Sequence, residues 1–269
     1  MAGAATELAS GKLILDEPAA GVTRLRIANP GRRGALDHEI LDALAETVGG
    51  LDARCLVLTG TDQMFSAGYD LGDLERGDAF ERDSERLVAH PFHTAIEALA
   101  AYPFPVIASL NGHAIGGGLE LALTCDMRIA ARGIRVGMPP AKLGLIYSHT
   151  GLRRFLELCG PDHTAELFYL GSAIEIERAN AMGLVSRLVD PAALEQSTLE
   201  IAAEIGGNAP LSLAGNKHII RTLRAHQSAL PEEVERELVQ LRESCFRTQD
   251  FREGVRAFAE KRPPEWKGR

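Results

Sequence analysis

Short apolar runs alternate along this chain with longer segments in which apolar residues recur at helical spacing. The runs that predict strands cover residues 13–15, 22–27, 55–59 and 106–110. Apolar residues between Ile40 and Val48 predict a helix, and Asp37 just before them is a residue type that caps helix N-termini. The strand, loop, helix, strand order predicts right-handed crossovers and an α/β fold, in which ligands bind at the carboxyl ends of the strands.

The pattern changes after a late strand predicted at residues 183–189. From Pro191 onward the segments favour helix, because their apolar residues follow helical spacing. Breaks in this helical region are predicted at residues 206–207, Pro210 and Pro231. We therefore predict two regions, a core over residues 1–193 and a helical region over residues 194–269 that packs on a neighbour or covers a site.

Two glycine-bearing segments follow predicted strands, FSAGYDL at residues 65–71 and NGHAIGGGLELALTCD at residues 111–126. Each forms a loop with few bulky side chains, and the second opens into a helix at Gly117. Backbone N–H groups in such loops, together with a helix N-terminus, stabilise an oxygen on which negative charge develops. We interpret the loops as a site for an oxyanion, while close helix–strand packing also explains three adjacent glycines.

Composition and missing motifs narrow the function. The 269 residues are 45% hydrophobic, enough for a sizeable core, and the net charge of −8 argues against nucleic acid as a partner. The four cysteines have no metal-ligand spacing, which predicts reduced thiols, no metal and a cytoplasmic location. Neither an export signal nor a membrane-spanning run is indicated, and the dinucleotide, Walker A, serine-hydrolase, zinc-protease and EF-hand patterns do not occur.

The two loops together resemble those of the crotonase (enoyl-CoA hydratase/isomerase) superfamily, and the similarity covers nearly the whole chain. The matching segments are NPGRRGALD, FSAGYDL, NGHAIGGGLELALTCD, MPPAKLGL, GLVSRLV and EGVRAFAEKRPPEW. This resemblance implies a crotonase-like spiral of ββα units with a C-terminal helical trimerisation region. It also implies a homotrimer or a dimer of trimers, and a substrate carried as a coenzyme A thioester with no separate cofactor.

Matching positions in the motifs imply the catalytic residues. The N–H groups of Ala67 and Gly117 would form an oxyanion hole, in which each donor is worth about 3 kcal/mol in the transition state. Glu120 matches one of the two catalytic glutamates of the hydratases, although the helix dipole alone also favours an acidic residue in a first turn. The second glutamate falls at Pro140, which has no carboxylate. The resemblance therefore does not supply the two-glutamate hydration mechanism.

The methylmalonyl-CoA decarboxylases of this superfamily likewise lack the second glutamate and carry a tyrosine that matches Tyr147. Loss of CO₂ generates the enolate without a base, and Tyr147 would orient the departing carboxylate. A tyrosine at an interface with a satisfied hydroxyl is the alternative interpretation. Tyr69 stands where those decarboxylases have a histidine, and a phenol is a poorer acid than a histidine at neutral pH.

The resemblance also implies residues that bind the coenzyme A thioester, with Arg32 or Arg33 near its adenine and phosphates. Asp70 is expected to hold its loop through backbone hydrogen bonds, as aspartate commonly does. Phe258 and Lys261 would reach the ligand from a neighbouring subunit. The predicted binding residues are Arg32, Gly68, Asp70, Leu71, Gly116, Phe258 and Lys261. For each basic residue a solvated surface position is the alternative.

These observations predict an acyl-CoA lyase that stabilises a thioester enolate, favoured as a decarboxylase of a short malonyl-type thioester. Enoyl-CoA hydration or isomerisation is the second hypothesis, because Glu120 is retained. A thioester-binding protein with weak catalysis is the third hypothesis, because one acid is missing.

Overall fold

The computed structural model describes residues 5–70, 80–227 and 229–268, with only the backbone described for residues 80–90. The strands are β1 (Thr6–Leu8), β2 (Leu13–Ala19), β3 (Val22–Ile27), β4 (Cys55–Thr59), β5 (Met64–Ser66), β6 (Val106–Leu110), β7 (His113–Ile115), β8 (Met127–Ala131), β9 (Arg135–Gly137), β10 (Ile174–Glu175) and β11 (Arg187–Val189). The helices are α1 (His38–Gly50), α2 (Phe80–Ala101), α3 (Gly117–Thr124), α4 (His149–Leu170), α5 (Ile176–Ala181), α6 (Leu194–Gly207), α7 (Pro210–Gln227), α8 (Glu232–Cys245) and α9 (Gln249–Glu260).

The described strands form two sheets. The larger has seven strands in the order β1-β2-β3-β4-β6-β8-β11, and its strands are parallel from β3 onward. The smaller has four strands in the order β10-β9-β7-β5, of which β5, β7 and β9 are parallel. The order confirms the predicted α/β class, since strands that neighbour in space are separated by helices in the chain.

Several predicted elements have the bounds that the apolar pattern indicates, among them β3, β4 and β6. Asp37 caps α1, because its Oδ1 accepts a hydrogen bond from the Ile40 N–H at 2.9 Å. The late strand predicted at residues 183–189 is wrong over its first part, because β11 begins only at Arg187. Gly183 has a φ of +90°, which suits a turn and not a strand.

The small sheet positions the two glycine loops. Strands β5 and β7 are parallel neighbours, and Ser66 near the end of β5 pairs with Ala114 of β7. The loops that follow the two strands therefore leave the sheet at the same edge, as expected for the carboxyl ends of parallel strands. The helix α3 begins directly after the second loop.

The helical region after residue 193 does not form one separate layer. Helix α6 packs against β3, β4, β6 and β8 of the large sheet, whereas none of the residues of α7 is buried. The division at residues 193 and 194 thus stays a prediction, with α6 attached to the sheet. Within the described residues, we find no helix with both the length and the apolar character needed to cross a membrane.

Candidate active site

The two glycine loops meet at close range. A Cβ atom at Gly68 would lie 2.7 Å from the Ile115 carbonyl oxygen and 3.0 Å from the Gly117 nitrogen, and the φ of Gly68 is +88°. A Cβ at Gly118 would lie 2.5 Å from the Ser66 carbonyl oxygen. Such distances leave no room for a side chain, so glycine is what allows the loops to approach each other. The glycines therefore serve close packing as well as ligand access.

A cavity of about 900 Å³ opens over these loops. Ala67, Gly116 and Gly117 all line it, so the two loops face one cavity, while the binding of a ligand there stays a prediction. The volume falls within the range of ligand sites in proteins. Pro140 lies on the same cavity wall, and its ring presents no acid there.

The two predicted oxyanion donors differ in their present hydrogen bonding. The Gly117 N–H, in the first turn of α3, has no hydrogen-bond partner among the described residues, as is usual for an N-terminal amide. The Ala67 N–H donates to the Arg33 carbonyl oxygen at 3.2 Å. A ligand oxygen could therefore accept a hydrogen bond from the Gly117 N–H directly. To accept one from the Ala67 N–H, it would have to share that donor with the Arg33 carbonyl oxygen or displace this acceptor. Their joint role as an oxyanion hole stays a prediction.

Two tyrosines, Tyr69 and Tyr147, form the inner end of the cavity, and Glu120 lies next to them. The Tyr147 hydroxyl donates a hydrogen bond to Oε2 of Glu120, and both residues are buried. A Cβ at Gly151 of α4 would lie 2.6 Å from the Tyr147 ring and 2.9 Å from Oε1 of Glu120, so α4 packs directly on this pair. Tyr69 and Tyr147 line the cavity, whereas Glu120 lies behind them.

Burial shifts the pKa values of Glu120, Tyr147 and Tyr69. Loss of solvation raises the pKa of Glu120, opposed by the Tyr147 hydrogen bond and by the charges of Arg154 and Arg242. Burial and the charge of Glu120 raise the pKa of Tyr147 and that of Tyr69. Both phenols therefore keep their protons at neutral pH. They can donate a hydrogen bond to a ligand but cannot serve as anionic bases there.

The outer end of the cavity is lined by charged and exposed groups. Arg32 lies on the wall, and its guanidinium is 3.2 Å from Oδ1 of Asp70, which is buried. Arg262 and Trp266, in the C-terminal tail, also line this end. This arrangement offers cationic groups and an aromatic surface, which suit a ligand with phosphates and a base.

Of the two residues at the end of α9 that are predicted to bind the ligand, Phe258 lines the cavity and Lys261 does not. Phe258 lies on the cavity wall of its own chain and is exposed there, and its contact with a neighbouring subunit stays a prediction. Lys261 caps the end of α9 with a φ of +54° and is not among the residues that line the cavity, whereas Arg262 is. Leu71, predicted to bind the thioester, lies outside the described residues.

Sequence reasoning missed the cations around Glu120. Nε of Arg154 lies 4.0 Å from Oε1 of Glu120 and comes from α4. Arg242 comes from α8 and contributes to the same field. No local pattern could identify them, because only the packing of distant helices brings them to Glu120. Within the described residues, no cluster of His, Cys, Asp and Glu that could hold a metal occurs.

The fold and the site define a class of protein, an α/β enzyme with a cavity at the carboxyl ends of parallel strands and a helix N-terminus facing it. Residues 17–269 match the family model described as enoyl-CoA hydratase/isomerase. The chain therefore belongs to that family, has the crotonase fold and is a crotonase-type enzyme.

Individual relatives carry different activities. The chain is 34% identical over 249 residues to the putative enoyl-CoA hydratase/isomerase YngF of Bacillus subtilis (strain 168), covering 91% of this chain and 94% of that protein. It is 30% identical over 248 residues to the methylmalonyl-CoA decarboxylase of Escherichia coli (strain K12), covering 89% and 92%. A solved structure of methylmalonyl-CoA decarboxylase in complex with 2-nitronate-propionyl-CoA matches with a TM-score of 0.87 at 26% identity, covering 96% of this chain and 99% of that one.

Proposed function

We propose that this enzyme is an acyl-CoA lyase that decarboxylates a short malonyl-type coenzyme A thioester through an enolate. The observation that carries the proposal is the buried hydrogen bond between Tyr147 and Glu120 at the inner end of the cavity. Pro140 on the cavity wall leaves no second carboxylate at the position that hydration by two glutamates needs. The similarity to a methylmalonyl-CoA decarboxylase supports the same activity.

The proposed reaction needs no base. The bond between Cα and the carboxylate carbon breaks, CO₂ leaves, and the electron pair passes to the thioester as an enolate. The N–H groups of Ala67 and Gly117 then stabilise the enolate oxygen, where each donor contributes about 3 kcal/mol. A proton then adds to Cα and gives the shorter acyl-CoA; it comes from water, or from a neutral phenol that water afterwards reprotonates. Tyr69 and Tyr147 are the phenols on the cavity wall, and their raised pKa values keep them protonated.

Glu120 acts through Tyr147 in this scheme and does not touch the substrate. In the structure the Tyr147 hydroxyl donates to Glu120. Burial favours the protonated form of Glu120, and in that form the hydrogen bond reverses in our scheme, so that the carboxyl donates to the phenol oxygen. The Tyr147 hydroxyl is then free to donate to the substrate carboxylate and to hold it out of the thioester plane, which is the geometry that decarboxylation requires. Glu120 is therefore a positioning residue for Tyr147.

Enoyl-CoA hydration or isomerisation is the second candidate. Burial raises the pKa of Glu120 and so favours the protonated carboxyl that an acid catalyst of hydration needs, and several relatives are named hydratases. A third candidate, a thioester-binding protein with weak catalysis, is consistent with the proline on the cavity wall.

Incubation with methylmalonyl-CoA and separately with crotonyl-CoA, followed by mass spectrometry, distinguishes the three candidates. Loss of CO₂ from the first substrate supports the decarboxylase, and gain of water by the second supports the hydratase. Binding of both without conversion supports the third candidate. Turnover of crotonyl-CoA with no loss of CO₂ from methylmalonyl-CoA would refute our proposal.

The proposed assembly is a homotrimer or a dimer of trimers in the cytoplasm, with the thioester as the only small molecule required. The exposed apolar side chains of α7 support an interface there; they are Leu211, Ile219, Ile220 and Leu223. Light scattering after size-exclusion chromatography measures the mass directly. A monomer at micromolar concentration would contradict this assembly.

A further inference from the structure

A second, smaller cavity lies behind the inner end of the active-site cavity. It measures about 90 Å³ and is bordered by Glu120, Arg154 and Arg242. Tyr69 lies on the wall of both cavities, so its side chain stands between them. Tyr147 lines the large cavity and Glu120 the small one, so their hydrogen bond crosses the same partition.

Tyr69 is held in place on several sides. Its ring packs edge-on against Phe92, with 4.8 Å between the ring centroids. Its backbone forms a parallel bridge with Leu36, and the N–H of the following residue, Asp70, donates to the Leu36 carbonyl oxygen at 3.1 Å. Displacing the ring would break the aromatic contact and disturb this backbone pairing, so Tyr69 forms a fixed partition.

The partition lies immediately beside the predicted oxyanion donor. A methyl group at Gly117 would lie 3.3 Å from Cζ of Tyr69. An acyl group whose thioester oxygen accepts from the Gly117 N–H would therefore lie beside the Tyr69 ring. Arg32 and Trp266 line the same cavity and are exposed, so we place the phosphates and base of the coenzyme at that outer end and the acyl group at the end with Tyr69 and Tyr147.

We propose that Tyr69 is the end wall of the acyl site and restricts this enzyme to short acyl groups. The inference rests on the proposed acyl-CoA site and adds the length limit of the acyl group to it. Removing the ring would join the two cavities. The space gained is lined by three arginines, Arg153, Arg154 and Arg242, and by two acids, Glu97 and Glu120. Because the arginines outnumber the acids, it would accept an extended acyl chain that ends in a carboxylate better than an apolar chain of equal length.

Binding of unreactive saturated acyl-CoAs tests the wall without requiring turnover. Trp266 is the only tryptophan of the chain and lines the cavity, so its fluorescence reports occupancy. We expect the unaltered chain to bind butyryl-CoA at least about tenfold more tightly than octanoyl-CoA, because a filled pocket rejects extra methylenes by such factors. Equal affinity for the two would refute the end wall.

Substitutions at Tyr69 test whether its side chain is the wall that limits the length of the acyl group. We expect Tyr69→Ala to bind glutaryl-CoA at least about tenfold more tightly than the unaltered chain does, and more tightly than it binds pentanoyl-CoA. Tyr69→Phe is the matched control, because it keeps the ring and should keep the preference for butyryl-CoA. If Tyr69→Ala fails to fold, Tyr69→Leu retains an apolar contact with Phe92 and shortens the wall. An unchanged length preference in either folded variant would refute the proposal.

The same titrations separate this inference from the proposed function. If the unaltered chain binds neither free coenzyme A nor butyryl-CoA, the proposed acyl-CoA site is refuted, and the end wall with it. If both bind but no length preference appears, only the end wall is refuted.

Discussion

The two ends of the active-site cavity differ in how far their polar groups are exposed to water. At the inner end, Tyr147 is 7% exposed, and its hydroxyl meets a carboxylate that burial has made harder to ionise. At the outer end, the Arg32 side chain is 48% exposed and Trp266 is 45% exposed. Acids, cations and aromatic rings thus occur at both ends of the cavity. They are shielded from water at the inner end and exposed to it at the outer end.

This difference separates two kinds of contribution. Interactions removed from water are strong and shift pKa values, whereas exposed ion pairs contribute little because water and salt screen them. Changes at the inner end should therefore alter the rate of the chemical step. Changes at the outer end should alter the affinity for the thioester and leave the rate nearly unchanged.

The largest effect is expected from Gly68→Ala, which disturbs the inner end through its backbone. The added Cβ would press against the Ile115 carbonyl oxygen and the Gly117 nitrogen, at 2.7 and 3.0 Å, and force the two loops apart. We expect kcat for the thioester to fall by about 10³-fold, because the proposed oxyanion donor at Gly117 then loses its geometry. Steady-state kinetics measures the fall in kcat, and thermal unfolding measures the loss of stability that the clash causes.

Gly133→Ala is the matched control for Gly68→Ala. Gly133 also has a positive φ, +79°, but an added Cβ would meet nothing within 4 Å. Its substitution should cost about 1 kcal/mol of backbone strain and leave the activity intact. Equal activity in both variants would show that the contact between the loops does not matter for the reaction.

The next largest effect is expected from Tyr147→Phe. This variant removes the hydroxyl that orients the substrate carboxylate in our proposal, so kcat for the proposed decarboxylation should fall by about 10²-fold. Tyr102→Phe is the control, because the Tyr102 hydroxyl is also buried but donates to the Ala53 carbonyl oxygen at 2.5 Å, away from the cavity. Undiminished decarboxylation by Tyr147→Phe would remove the phenol from the mechanism.

The sequence predicted the parts of this site that depend on local pattern. The bounds of β4 and β6, the start of α3 at Gly117 and the meeting of the two glycine loops followed from apolar runs and from the loops at the ends of predicted strands. Arg154 and Arg242 could not be predicted, because their helices reach Glu120 only through tertiary packing. The separation of Glu120 from the large cavity was also unforeseen, since it depends on how two tyrosine rings pack.

A smaller effect is expected from Glu120→Gln, and it distinguishes positioning from acid–base catalysis. The neutral amide can donate to Tyr147 as a protonated carboxyl does, so decarboxylation should stay within about tenfold of the original rate. Hydration, which needs the acid itself, would be abolished. Loss of decarboxylation by more than this factor would contradict the positioning role.

The pH dependence of decarboxylation by Glu120→Gln also tests whether the neutral form of Glu120 positions Tyr147. The pKa of Glu120 is raised above 4.5, so its protonated fraction falls as the pH rises through that raised value. Decarboxylation by the unaltered enzyme should decline over the same range, and stability contributed by the buried neutral acid is lost there as well. The glutamine variant should show neither decline. Identical pH profiles for the two enzymes would argue against the neutral form of Glu120.

The smallest effect at neutral pH is expected at the outer end, from Glu253→Gln. Glu253 anchors the C-terminal tail, because its carboxylate accepts hydrogen bonds from Arg262 at 2.5 Å and from the Glu265 N–H at 3.0 Å. These contacts lower its pKa from 4.5 to about 2. Their stabilising contribution is therefore present above pH 4.5 and is lost as the pH falls toward 2.

At neutral pH we expect Glu253→Gln to weaken thioester binding by about threefold with kcat unchanged, since one partly exposed charge pair is removed. On acidification, the fluorescence of Trp266 should change in the unaltered enzyme as the tail detaches, and the variant should lack this transition. Glu260→Gln is the control, because Glu260 also pairs with Arg262, at 2.6 Å, but its side chain is 46% exposed. If Glu253→Gln reduced kcat as strongly as Tyr147→Phe, the two ends of the cavity would not be energetically distinct.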